Sequence, residues 1–158
     1  MNQAHFHLII NHFPIILPFV GFIILVISYY LKQDFTKRIA YFIFIIAAIF
    51  SAISMNSGEG AEDVVKHLPN ISKTIIHDHE EWAEKLALLN YVIAGLSLIG
   101  IYLSWKMKLN PKSLTIAIII LSIGAIALGA KTGLSGGEIM HTEIRNQTTN
   151  TINTEQEN

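Results

Sequence analysis

The sequence predicts an all-α integral membrane protein: a four-helix up-down transmembrane bundle with a short extracytoplasmic helical loop between helices 2 and 3. Three observations carry this expectation. Four long apolar stretches, at 13–31, 39–55, 86–105 and 114–130, are each about 17 to 20 residues, enough to cross a hydrocarbon core of about 30 Å at about 1.5 Å per residue. With 51% hydrophobic residues and a mean hydropathy of +0.45, the charges are gathered between the stretches, where a water-soluble globule would interleave them. Lys and Arg, finally, concentrate in the two tight connections. Backbone groups in lipid have no partner outside their own segment, so each stretch is read as a helix.

The connections set the orientation, because short loops rich in Lys and Arg stay cytoplasmic. Lys32, Lys37 and Arg38 lie between the first two stretches, offset only by Asp34, and Lys106, Lys108 and Lys112 lie between the last two. Both connections are therefore expected inside, with the N-terminus, the middle loop 56–85 and the C-terminal tail outside. All seven histidines, His5, His7, His12, His67, His77, His79 and His141, fall on the outer side. So does every acidic residue except Asp34.

Composition excludes several classes. No cysteine is present, which removes disulfides, thiolate-held iron-sulfur clusters, covalent haem attachment and cysteine nucleophiles. A net charge of −1 with no basic stripe argues against nucleic acid. Residues 1–12 carry no Lys or Arg and no small-residue cleavage site follows, so the first stretch is expected to remain as a span.

Taken in order, the first helix carries Pro14 at a first-turn position after Asn11 or His12. Pro18 removes a ladder bond, frees the Pro14 carbonyl and should bend or open the helix there. In the second helix, Ala47, Ala48, Ser51 and Ala52 form a small-residue contact face. Ser57-Gly58-Glu59-Gly60 should close it, followed by a short amphipathic helix over 61–68 that ends at Pro69-Asn70. Ser72 is a plausible cap for a helix running into the third span, where Gly95 and Gly100 are candidate packing positions. Ala125 and Gly129 play that part in the fourth. Residues 1–145 form the predicted transmembrane domain and 146–158 a polar, disordered tail. No repeat is detectable.

Chemistry is expected at the outer end. At 100° per residue, eleven positions return a helix to within about 20° of its start, so His79, Ala83, Leu86, Asn90 and Ser97 share one face. A buried Asn in a span faces the bundle interior, which turns His79 inward and leaves His77, about 160° away, in water. His7 and His12 precede the first span, Glu62 follows the second, and Glu138 and His141 end the fourth. His12, His79 and His141 are the expected cofactor ligands, and His7, Glu62 and Glu138 complete the metal-ligating set. Imidazole with carboxylate suits Zn, Fe or Cu(II), and an imidazole pair suits haem b iron. Met55 and Met140 are packing residues first. His79-Glu80-Glu81-Trp82-Ala83 lacks the second histidine of a zinc-protease helix, and Glu80, Glu81 and Glu84 beside Lys85 read as a solvated face. No catalytic residue is assigned.

Four ordered motifs carry a resemblance over about residues 4–144. His7-Leu8-Ile9-Ile10-Asn11-His12-Phe13-Pro14-Ile15, Ser57-Gly58-Glu59-Gly60-Ala61-Glu62, His79-Glu80-Glu81 and Gly136-Gly137-Glu138-Ile139-Met140-His141 resemble the bacterial four-span membrane family catalogued as domain of unknown function 2231. Gly60 stands where that family often has proline, and Leu8 follows His7 where many members have proline. The resemblance implies a multi-pass protein of the bacterial cytoplasmic (inner) membrane, and redox company, since some members are joined to Rieske or cytochrome-type modules.

Three functional classes follow. The first is a haem or non-haem metal site at the extracytoplasmic end, linked to electron transfer with an outer-side redox protein or a quinol. Lys131 or Arg145 would then meet haem propionates. Without inner histidines, a stacked haem pair across the bilayer is ruled out. The second is a structural or assembly subunit with a hydrogen-bonded His/Glu cluster, as a monomer or homo-oligomer. The third, a proton or metal-ion carrier, needs ionisable groups through the span, where Asn90 is almost the only polar candidate.

Overall fold

Unbroken apolar runs leave backbone N–H and C=O groups with only one another as partners. The computed structural model, which describes residues 2–67 and 71–145, turns each run into a helix. Five α-helices and a terminal 3-10 turn account for nearly all described residues, with no strand among them: α1 Gln3–Ile10, α2 Phe13–Leu31, α3 Asp34–Val65, α4 Lys73–Lys106, α5 Lys112–Met140 and the turn Thr142–Ile144. Four helical segments, with α1 and α2 taken together, are long and apolar enough to cross a membrane. The expected tail 146–158 and the Pro69-Asn70 stop lie outside the described residues.

The long helices pack in a ring, α2 on α3, α3 on α4, α4 on α5 and α5 on α2, with little contact across the α2–α4 diagonal. α1 lies along α3. The core is Leu25, Ala40, Tyr41, Phe44, Leu86, Ile93, Ile101, Ile118 and Ala125. Many buried positions around it are small or polar, including Ser28, Ser51, Ser97, Thr115 and Ser122. The outward faces, by contrast, carry Ile16, Phe19, Ile23, Ile46, Leu98 and Ile120. An apolar exterior around a partly polar interior is how helices associate when the solvent is itself apolar.

Close approach is set by small residues opposite aromatic ones. A Cβ on Gly100 would lie 2.6 Å from the Tyr41 ring, and one on Gly21 would lie 2.8 Å from Phe44. Tyr41 and Phe44 are one turn apart on α3, so that helix keys into α4 with one ring and into α2 with the other. Ala47, Ala48 and Ser51 on α3, and Ala125 and Gly129 on α5, are buried as expected of contact faces. Gly95 is exposed with no neighbour within 4 Å of a built Cβ, so it is no packing position.

Pro18 leaves α2 continuous. The Pro14 carbonyl that it frees is taken up from outside the helix: Asn90 Nδ2 donates to it at 3.1 Å and to Ser51 Oγ at 3.0 Å. Ser51 spends its own proton on the Ala47 carbonyl, so its oxygen is the acceptor. One buried amide thereby ties α2, α3 and α4 together.

Two expectations about the middle of the chain are corrected. α3 runs through Ser57-Gly58-Glu59-Gly60 without a break, and 61–65 is its last part, with no separate helix. The glycines serve contact instead, since a Cβ on Gly60 would meet the Gln3 side chain of α1 at 2.8 Å. Helix α1 supplies the packing that keeps this segment helical. Its own start is capped by Asn2, whose side chain accepts from His5 N–H at 2.8 Å. Ser72 caps α4 as anticipated, accepting from Ile75 N–H.

Candidate functional site

With 32 residues in α3 and 34 in α4, these helices are about 48 and 51 Å long, roughly 20 Å more than a hydrocarbon core. The surplus at one end carries the histidines. His79 stands in the second turn of α4, and its Nδ1 lies 3.1 Å from Ser135 Oγ on α5. His7, on α1, repeats the arrangement, with Nδ1 3.0 Å from Ser57 Oγ on α3.

The serines decide the form of both rings. Ser57 donates its only hydroxyl proton to the Ser54 carbonyl at 3.0 Å, and Ser135 donates to the Thr132 carbonyl at 3.0 Å. Each serine oxygen is therefore an acceptor, and each imidazole donates from Nδ1–H. In the neutral ring the lone pair is then on Nε2. Each ring also hydrogen-bonds a backbone carbonyl beside its serine, His7 that of Ser54 and His79 that of Thr132. Burial holds the His79 imidazole below its usual range, and the charge of His7 lowers it further.

Glycine completes each half. The His79 ring lies on Gly136, where a Cβ would come within 3.0 Å of Cε1, while Gly58 faces the His7 ring at a looser 3.6 Å. A His, a Ser one helix away and the Gly following that Ser thus occur twice, once on α1 and α3 and once on α4 and α5. The Glu62 and Glu80 carboxyls also approach each other.

The remaining candidates lie elsewhere. His12 is exposed and donates from Nδ1 to the Leu8 carbonyl at 2.8 Å. His141 is exposed against Glu143 at 2.9 Å. The Glu143 carboxyl is held below its usual range first by its own backbone N–H and then by His141. Glu138 is half-buried, and its backbone carbonyl, with that of Ile139, accepts from the Arg145 guanidinium, which closes the end of α5. His77 is exposed beside Glu80 and Glu81, as its place on the helix required. Among the described residues no group of three or more His, Asp or Glu is gathered so as to hold a metal ion.

The sequence pointed to His79 and to its inward face, but not to Ser57, Ser135 or the influence of His7 on His79. The signal was present in the recurrence of Ser-Gly at 57–58 and 135–136, too short to register as a repeat. Comparison with family models, curated proteins and solved structures returned no match.

Proposed function

We propose that this chain is a multi-pass protein of the bacterial cytoplasmic membrane, an up-down-up-down bundle of the family its motifs resemble, which holds haem b through His7 and His79 at its extracytoplasmic end. The N-terminus, the helical connection between the second and third spans, and the C-terminus share that side. The observation that carries the reading is the matched pair of imidazoles, each held at Nδ1 by a serine of a neighbouring helix.

The donor set favours haem over a non-haem ion. A Zn, Fe or Cu(II) site draws three or four protein ligands, and no such group is assembled among the described residues. Haem would need only two ligands from the protein, for which His7 and His79 would serve, and a histidine whose Nδ1–H is held by a second group is the usual form of such a ligand. Bound haem would supply one-electron chemistry. The residues of the chain itself fix ring tautomer and orientation, and Gly136 lets the His79 ring lie close to α5. An outer-side redox protein or a quinol is the partner this location allows.

A second reading, a structural subunit whose histidines serve only as hydrogen-bond donors between helices, is favoured by the same serine contacts. An absorbance spectrum separates the two. Purified in detergent from cells supplied with iron and haem, the protein should show a Soret band that is lost in His7→Ala and in His79→Ala and kept in His12→Ala and His141→Ala. Wild-type protein with neither that band nor bound metal overturns the cofactor reading. A band that survives in both His7→Ala and His79→Ala moves the ligands elsewhere.

A further inference from the structure

At the opposite end of the bundle, a cavity of about 360 Å³ opens between the end of α2 and the starts of α3 and α5. Its lining includes Ser28, Lys32, Lys37, Asn110, Lys112 and Thr115. Three ammonium groups face it against one carboxylate, that of Asp34, which is already engaged by Lys37 at 3.2 Å and by Asn110 Nδ2 at 2.8 Å. Neither Lys32 nor Lys112 has an acidic partner among the described residues. The cavity therefore has unbalanced positive charge.

Helix termini of both signs meet at the cavity, two N-termini and one C-terminus. α3 and α5 both begin here, and neither has a side-chain cap: the N-cap positions are Gln33 and Pro111, with no capping hydrogen bond at either. These two helix N-termini bring the positive ends of their dipoles to the region of the lysines, offset in part by the end of α2, where Lys32 is the C-cap, and by Asp34 in the first turn of α3. Such a combination attracts anions, and phosphate oxygens most readily. The volume corresponds to about twelve waters at about 30 Å³ each, which is room for a phosphodiester and the glycerol beside it.

Position selects the source of the phosphate. Tyr29 and Tyr30 stand at the rim, and Tyr30 is 78% exposed on the outer face of α2, next to exposed Leu31. An amphipathic ring beside apolar side chains marks the level of lipid headgroups. Basic pockets between spans at that level take anionic headgroups.

We propose that this cavity is a binding site for the phosphate of an anionic phospholipid, held by Lys32 and Lys112 and by the starts of α3 and α5, with Lys37 kept in place by Asp34. The site rests on the transmembrane reading of the bundle and is independent of the His7–His79 pair.

The test uses the full chain in detergent with mixed micelles of phosphatidylglycerol, with phosphatidylcholine micelles and inorganic phosphate as the comparison arms, and reads binding by native mass spectrometry and by the shift in melting temperature. Phosphatidylglycerol should bind in a saturable way and phosphatidylcholine should not. Lys32→Gln and Lys112→Gln should each weaken binding about fivefold, and the double variant about twenty-fivefold. Lys106→Gln with Lys108→Gln, at the same end but away from the cavity, should leave it unchanged. Equal loss in that control pair overturns the site in favour of general surface charge. An inorganic phosphate shift as large as that of the lipid overturns the lipid assignment, and undiminished binding in the Lys32/Lys112 double variant overturns the proposal outright. Flotation with phosphatidylcholine vesicles reports separately on whether the chain enters bilayers at all, and the Soret band should be unaltered in the double variant.

Discussion

A single methyl group separates what α3 and α5 can tolerate at the two histidines. At Gly136 an added Cβ would press on the His79 ring at 3.0 Å, and at Gly58 it would rest against His7 at 3.6 Å, an ordinary van der Waals contact. Gly136→Ala should therefore displace His79 from Ser135 and mix its tautomers, while Gly58→Ala leaves His7 in its Nδ1–H form. Imidazole ¹⁵N shifts of the two variants report this directly, with or without a bound group. At this scale the sequence showed the residue types and not their pairing. His79 was legible because α4 is continuous from His79 to Asn90 and helical phase carries over eleven positions. His7 was less so, since its direction depends on α1, a helix held in place mainly by packing on α3. The exposure of His12 and His141 was hidden for a related reason: each stands at a helix boundary, where phase no longer predicts direction.

Asn90 and Ser97 lie on the same face of α4, at 2% and 0% exposure, yet they contribute with opposite sign. Asn90 donates both amide protons, one of them to the Pro14 carbonyl released by Pro18. Ser97 Oγ is buried with no hydrogen-bond partner among the described residues. Hydrogen bonds between helices in membranes average about 0.6 kcal/mol, whereas an orphaned buried carbonyl costs about 1–3 kcal/mol. Asn90→Ala should thus destabilise the bundle by about 1–3 kcal/mol, chiefly through the stranded carbonyl, and Ser97→Ala should be neutral or stabilising. Thermal or denaturant unfolding in detergent, run on both, measures the difference. The freed carbonyl was legible from proline chemistry; the amide that takes it up lies 76 residues away, and no local rule connects the two. The glycines of Ser57-Gly58-Glu59-Gly60 misled for the mirror reason. Glycine weakens a helix locally, and here α1, packed alongside, prevails over that tendency.

For the molecule as a whole, the number of long apolar helices was fully legible, because hydropathy and length are properties of single segments. Sidedness rests on the lysines of the two short connections, and it has a direct experimental handle. The chain contains no cysteine, so every introduced thiol is unique. In intact cells, cysteines placed at Asn2 and at Lys66 should react with a membrane-impermeant maleimide, and cysteines at Gln33 and Asn110 should react only after the membrane is opened. The reverse pattern would invert the proposed orientation and carry the histidine pair to the cytoplasmic side.

One consequence follows from the length of α3 and α4. Neither helix has a hinge where its apolar part gives way to its polar end. In a thinner or thicker bilayer, the water boundary would slide along a rigid shaft without bending it. His7 and His79 would keep their mutual geometry from one lipid composition to another, as instruments on a mast keep their spacing when the tide changes.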